Sequence, residues 1–410
     1  MEGRSGPLGP LFDSRTGQSL GYGVPSDEIL RRATAAYKEA SIHSMSQESA
    51  IELMMYGSRF DPFQPFCQSL ARFLTREFGE QVFETDLLTN CGATDGVRTL
   101  ASQFSRPGDV VFVEELTFAG AKWQLEQAGL RIVPVPLDED GVLTDELEVI
   151  VERELGGKES HALTDCSPFR ALFYTIPVYH NPTGYCLSKE RAKEVVRIAR
   201  KHDLLVICDD VYHLLPLTEK KHRRLFAYDS KDDPNYKGHV VSNATFSKIF
   251  APGLRLGWME APKRVRDIIA ESAHIKSGGA PNHCATGIMA SAIQLGLLDD
   301  LLLRAKAIYK ENASALCDIF DRGLPSCIKY KKPQGGFFIW MKLPESIAAK
   351  DISISCLRQN VKVFPGNFFS VHGDFKNYLR IAFSHLPKEK VIKEAEIVVE
   401  CIRESVESRK

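Results

Sequence analysis

The chain has 410 residues, of which 44% are hydrophobic and 26% charged, and its formal net charge is −1. That length exceeds one ordinary domain and can bury an extensive core, so two domains are expected. The near-neutral balance gives no electrostatic case for nucleic acid or an anionic membrane surface, and no run reaches the roughly 18 apolar residues of a spanning helix.

Residues 1 to about 25 are rich in Gly, Pro and Ser and read as an irregular arm ending at Gly21-Tyr-Gly-Val-Pro25. They lack the apolar centre of a secretory signal. Nor is this a dinucleotide fingerprint: the third glycine is missing, Pro25 intervenes and no strand precedes it. A helix is expected from Asp27, then a linker to Tyr56-Gly57 and an aromatic segment from Phe60 to Phe66. Leu70, Phe73, Leu74 and Phe78 then recur at helical spacing.

From about residue 85 short apolar runs alternate with helical patterns. Leu87-Leu88 enters the small-residue turn Gly92-Ala-Thr94, followed by a helix over Val97–Phe104. Val110–Val113 and Arg131–Val135 read as strands, and Ala119–Ala128 and Asp145–Leu155 as helices, the latter stopped by Gly156-Gly157. Ala171–Ile176 is apolar throughout, as a strand covered on both faces of a parallel sheet would be. Ser188 can cap a helix whose buried stripe is Ala192, Val195, Val196 and Ala199. Leu204–Cys208, Val240-Val241 and Leu254–Met259 continue the strands. The succession implies a doubly wound α/β domain over about 60–290.

Beyond it, residues 297–322 read as one long helix. Gly336–Met341, Val361–Phe364 and Tyr378–Phe383 are strands of a smaller α+β layer. The ten cysteines are scattered and include no C-x-x-C pair, which suits buried thiols in a reducing compartment, so a cytoplasmic location is expected. The basic run Lys220-Lys-His-Arg-Arg224 is flanked by acidic residues and has no helical face to organise it, so a solvated loop is expected.

The polar residues fall where such a sheet binds ligands, beyond the carboxyl ends of its strands. Gly92-Ala-Thr94 opens a helix and makes a seat for phosphate. Asn181 and Asp209 each follow an apolar strand, and Lys248 follows the next, among hydroxyls and seven residues before Arg255. A lysine in an apolar neighbourhood either reaches water or has chemical work. On this stretch alone Lys248 reads either as a strand-end lysine with its amine in solvent or as one that forms a Schiff base with an aldehyde. In the second case Thr245, Ser247 and Arg255 supply donors to a phosphate.

Taken together, Tyr56-Gly57, Gly92-Ala-Thr94, Pro107-Gly-Asp109, Asn181-Pro-Thr-Gly184, Asp209-Asp-Val-Tyr212, Thr245-Phe-Ser-Lys248, Gly253-Leu-Arg-Leu-Gly257, Gln334-Gly-Gly336 and Tyr378–Ser384 run in one order over nearly the whole chain. In this the chain resembles the fold-type I pyridoxal-phosphate enzymes. The resemblance is to the class I/II aminotransferases, in the branch holding kynurenine/2-aminoadipate aminotransferases and the aminotransferase-like domains of certain bacterial regulators.

The resemblance implies a large, mostly parallel α/β domain at 56–295 and a small α+β domain at 296–410, completed by the arm at 1–55. It implies pyridoxal 5′-phosphate as cofactor, held as a Schiff base on Lys248, which also moves the substrate proton. Asp209 would pair with the pyridine nitrogen, Asn181 and Tyr212 would serve the ring's 3′ oxygen, and Phe118 would stack on the ring. Thr245, Ser247, Arg255 and the amides of Ala93 and Thr94 would hold the phosphate. Tyr56 would reach it from a second subunit, which implies a homodimer. Arg380 would clamp the substrate carboxylate as a fork, beside Asn181 and with Gly23 nearby.

The implied substrates are an L-α-amino acid and a 2-oxo acid in ping-pong exchange. Tyr22, Phe60, Phe63 and Phe66 suggest an aromatic mouth, favouring aromatic, aminoadipate-like or large aliphatic donors, and serve equally as core or interface. His180 and His213 stand beside Asn181 and Tyr212 as possible tuning groups or as ordinary core histidines. The same residues would also support β- or γ-elimination, as in C–S lyases. A cofactor-binding sensor is the third reading, although only some 50 residues precede the fold where the regulators carry a DNA-binding domain.

Overall fold

The computed structural model describes residues 19–57, 63–156 and 168–409. The strands of its larger sheet are β1 (Leu87–Asn90), β2 (Val110–Glu114), β3 (Arg131–Val135), β6 (Ala171–Thr175), β7 (Leu204–Asp209), β8 (Val240–Thr245) and β9 (Gly257–Glu260). They lie in the order β1-β9-β8-β7-β6-β2-β3. The short hairpin of β4 (Leu137–Asp138) and β5 (Gly141–Val142) stands apart. All pairs within the larger sheet are parallel except those of β9, which runs against both β8 and β1.

Alternation along β2 explains why the sheet needs cover on both faces. Val110 and Phe112 pack with residues of α5 (Thr144–Leu155) and α6 (Lys189–His202). Val111 and Val113 pack with α3 (Ala93–Phe104), α4 (Ala119–Gln127) and α7 (Lys263–Ala270). Each fully buried side chain of this kind contributes about 1.5–3 kcal/mol relative to exposure. The expected stripe of α6 is buried, and Ser188 caps it by accepting from the amide of Arg191 at 3.4 Å.

The remaining helices are α1 (Asp27–Met45), α2 (Gln64–Phe78), α8 (Ala273–Gly278), α9 (His283–Gln294), α10 (Leu297–Gly323), α11 (Ala349–Arg358) and α12 (Lys388–Glu407). A four-stranded antiparallel sheet joins, in spatial order, β10 (Lys329–Tyr330), β11 (Phe338–Lys342), β13 (Tyr378–Ala382) and β12 (Phe364–Pro365). One apolar core runs from α1, α2 and α9 through Phe246 and Trp258 to Ile339 and Ile381. Among the described residues no single helix is long and apolar enough to cross a membrane.

Four expectations need correction. The presumed linker before Tyr56 contains a 3-10 helix, Glu48–Met54. The strand expected from Leu254 begins only at Gly257, because a 3-10 turn at Pro252–Leu254 ends on Arg255 at φ 50°. The strand expected at Val361–Phe364 forms only at Phe364–Pro365. The basic run is not a fully solvated loop: Arg224 is buried between Glu80, at 2.6 Å, and Glu260. Gly157, the second residue of the expected stop after α5, and Phe60 lie outside the described residues.

Candidate active site

Because β1, β8, β7, β6 and β2 run the same way, their carboxyl ends open on one edge, and a cleft lies there. Asp209 ends β7, Thr245 ends β8, and Asn181 sits in the turn after β6. The cleft is lined by Ala93 and Thr94 from the start of α3, and by Phe118, Asn181, Asp209 and Tyr212. Thr245, Ser247, Lys248 and Arg255 complete it. Folding thus gathers residues that lie far apart in the sequence.

One end is built for an anion. Gly92 takes φ 92°, and a side chain there would stand 2.8 Å from the guanidinium of Arg255. Glycine therefore lets the arginine close on the first turn of α3, where Ala93 and Thr94 present amides without helical partners. Arg255 is steered by donation to the carbonyl of Cys91 at 2.9 Å and of Pro252 at 3.0 Å. It also approaches Ser247 Oγ at 3.4 Å. The Thr245 hydroxyl lies 2.9 Å from that of Ser247 and accepts the Ser247 amide at 3.1 Å. Beneath them, Asn243 donates to the Ala93 carbonyl at 2.8 Å and accepts from Asn90 at 3.0 Å.

At the cleft floor Asp209 accepts from the Tyr174 hydroxyl at 2.5 Å through Oδ2, while Oδ1 is buried and unpartnered. Burial raises this carboxyl to about 6, with Asp210 adding to the rise while Tyr174 and Lys248 oppose it. Burial conversely lowers the Lys248 amine to about 8; Arg380 and Arg255 push the same way and Asp209 opposes them. Lys248 donates to the Gly23 carbonyl at 2.8 Å. Its amine stands 5.9 Å from the ring centre of Tyr212, whose hydroxyl is held protonated by burial.

Arg380 is buried and forks between two acceptors, Asn181 Oδ1 at 3.0 Å and the Gly21 carbonyl at 2.7 Å. Its plane lies among the rings of Phe338, Phe369 and Phe364, and its Nε has no partner. With its oxygen engaged, Asn181 has only its NH2 to offer the cleft. Phe118 lies just ahead of α4, its ring packed over Gly120, where a Cβ would approach to 2.5 Å.

Several expectations fall elsewhere. Phe66 is in the core against Phe246, and Phe63 is buried against His283, so neither lines the mouth. Tyr22 lies on the arm, with the Lys362 amine 3.2 Å from its hydroxyl. His213 turns away to the His222 carbonyl at 2.7 Å. His180 is tied to Thr183 at 2.9 Å, and its Nε2 stands 3.1 Å from a carboxylate oxygen of Glu114 without making a hydrogen bond. Tyr56 is 83% exposed and does not line this chain's cleft.

Tyr174, Asn90 and Asn243 were missed by sequence reasoning. A buried asparagine within or ending an apolar strand was a usable signal. Tyr174, in Leu172-Phe-Tyr-Thr175, reads as ordinary core and gave none.

The family profile described as aminotransferase class I and II matches residues 18–397. Aromatic-amino-acid aminotransferase 1 of Thermococcus litoralis is 28% identical over 362 residues, 88% of this chain and 82% of that one. The 2-aminoadipate transaminase of Thermus thermophilus is 27% identical over 379 residues, 91% of this chain and 87% of that one. Among solved structures, LysN, an α-aminoadipate aminotransferase of Thermus thermophilus complexed with N-(5′-phosphopyridoxyl)-L-leucine, superposes with a TM-score of 0.81. It is 22% identical, with 99% of this chain and 96% of that one covered. The chain belongs to the class I and II aminotransferases, enzymes that depend on pyridoxal 5′-phosphate, and its reaction is amino-group transfer.

The residues present fit that cofactor. An unpartnered buried carboxylate oxygen waits at one end of the cleft and an anion cup of Arg255, hydroxyls and free amides at the other, with the Lys248 amine lining the space between.

Proposed function

We propose that this cleft transfers the amino group of an aromatic, aminoadipate-like or large aliphatic L-amino acid to a 2-oxo acid, with the roles divided as follows. The observation that carries the assignment is the amine of Lys248 in one cleft with the carboxylate of Asp209 and the anion cup. Pyridoxal 5′-phosphate, when bound, supplies an aldehyde and an electron-withdrawing ring.

The chain's own groups do the rest. Arg255, Thr245, Ser247 and the amides of Ala93 and Thr94 hold the phosphate. Asp209 keeps a proton on the ring nitrogen, and Tyr174 fixes the carboxylate that does so. Asn181 and Tyr212 donate to the ring's 3′ oxygen, and Phe118 covers one face. Lys248, its basicity lowered by burial, is available as a neutral amine close to neutral pH, so it can take the proton from the substrate Cα and return it. Arg380 presents a planar fork to the substrate carboxylate, with Gly23 close by.

The donor preference rests on the apolar walls of Val97, Ala121, Ile176 and Val211, together with Phe118. We further assign residues 56–295 to a cofactor-binding domain and 296–410 with 1–55 to a smaller one. The active unit is a homodimer in which Tyr56 of each chain reaches the other's phosphate, and the location is the cytoplasm, where free thiols stay reduced.

The test is a series of single-turnover reactions with individual amino acids, each read as loss of the cofactor's visible band. Phenylalanine, 2-aminoadipate or leucine should react at least about tenfold faster than aspartate. Aspartate as the fastest donor would overturn the preference. Ammonia and pyruvate release without any 2-oxo acid would favour elimination instead.

A further inference from the structure

On the far side of the Asn181 turn lies a second cavity, of ≈ 660 Å³, within the roughly 300–1,000 Å³ range of small-molecule sites. Thr183, Gly184 and Tyr185 form part of its wall, so one turn presents Asn181 to the active cleft and its other residues to this cavity. Phe338, which lies under Arg380, reaches it as well.

The charge of this cavity is lopsided. Lys189, Lys220, Lys221, Arg223, Lys331 and Lys332 line it. Three carboxylates, Glu139, Asp140 and Glu190, line it with these six cations. From outside the lining Glu80 meets Arg223 at 3.6 Å and Asp321 meets Lys332, so the cavity keeps a smaller positive excess. Two of the cations have only surface partners: Lys332 pairs with Asp321 at 2.7 Å and Lys331 with Glu139, both pairs well exposed. Pairs of this kind contribute little and exchange readily. Among the described residues the side-chain amines of Lys189 and Lys220 make no ion pair or hydrogen bond. The start of α6, at Ser188, Lys189 and Glu190, opens into the same space and adds the positive end of a 14-residue helix.

Lysines from three separate segments, the start of α6 and the rings of Tyr185 and Tyr228 line one cavity, and that chemistry suits an anionic ligand. We propose that this cavity binds a small phosphorylated molecule carrying two adjacent phosphoryl groups. Lys189 and Lys220 meet the phosphoryl oxygens as point charges, and the amides at the start of α6 donate to the remaining oxygens. The site uses none of the residues assigned to the cofactor, so it stands or falls apart from the reading of the active cleft.

The experiment is calorimetric titration of the cofactor-loaded enzyme with inorganic pyrophosphate, at low and at physiological salt. Saturable binding at one site per chain is expected, weakening with salt. Affinity should fall at least about tenfold in Lys189→Ala/Lys220→Ala and be kept in Lys189→Arg/Lys220→Arg. If the alanine pair does not fold, Lys332→Glu, at an exposed position, should weaken binding in the same direction. The visible band of the cofactor, followed during the titration, must stay unchanged, since its phosphate fills the Arg255 cup. No saturable binding at millimolar pyrophosphate, equal affinity in the alanine variant, or binding that removes the cofactor would each overturn the proposal.

Discussion

The amine of Lys248 donates to the carbonyl of Gly23, 2.8 Å away across 225 residues of sequence. The same short segment takes the Arg380 fork on the Gly21 carbonyl at 2.7 Å and the Ser384 hydroxyl on the Val24 carbonyl at 2.8 Å. Irregular backbone thereby finds partners for its polar groups in Lys248, which lines the cleft, and in Arg380 and Ser384. Its position reports on both the lysine and the substrate arginine.

Gly23 is fixed by space. A Cβ there would meet the Phe338 ring at 2.4 Å, and Phe338 stacks beneath Arg380. Gly23→Ala should therefore displace the arm or tilt the ring under the arginine. The expected result is a KM for the amino donor raised about tenfold with kcat changed much less, read from steady-state kinetics. Equal KM values would mean that the arm has no hold on the substrate end.

Arg380 should not tolerate lysine. Its fork reaches Asn181 and Gly21 at once, and a single ammonium on a flexible stem cannot reproduce a planar pair of donors. Arg380→Lys is expected to lower kcat/KM on the order of a hundredfold, about 3 kcal/mol. Cofactor affinity, measured by titration of the visible band, should stay near the parent value.

Lys248 makes the cofactor-free protein's stability depend on alkaline pH. Its amine sits at about 8 in the folded chain against an ordinary 10.5. Between these values the unfolded chain binds the proton and the folded chain does not, so stability rises with pH across this window. The gain is complete above 10.5 and lost as pH falls towards 8, at most about 3 kcal/mol. Denaturant unfolding of the cofactor-free protein between pH 8 and 10.5 should show this rise, and Lys248→Met should remove it.

Much of this architecture was legible because periodicity and strand-end chemistry are local properties. The stripe of α6 with its Ser188 cap and the bounds of β3 at Arg131–Val135 followed from pattern, whereas the eleven cofactor residues, ten of which meet in one cleft, were implied by the family resemblance. What was not legible depends on long-range packing. Phe63 and Phe66 read equally as mouth or as core and interface residues, and packing at and within the start of α2 buries them against His283 and Phe246. Arg224 reads as a surface cation, but Glu80 and Glu260 arrive from 144 and 36 residues away to neutralise it. The Tyr174–Asp209 bond joins neighbouring strands whose pairing no local pattern announces. Tyr56 stands exposed, and only a second chain could give it the role expected of it.

The central claim is that Lys248 carries the cofactor and moves the proton, and the visible spectrum of the purified protein tests it most directly. The parent protein should show the cofactor's visible band, lose it on addition of a single amino acid and regain it with a 2-oxo acid. Lys248→Ala, loaded with cofactor, should lack both the parent band and the cycle, with turnover lower by on the order of a thousandfold or more. A Lys248→Ala protein with the parent spectrum and a complete cycle would contradict the account.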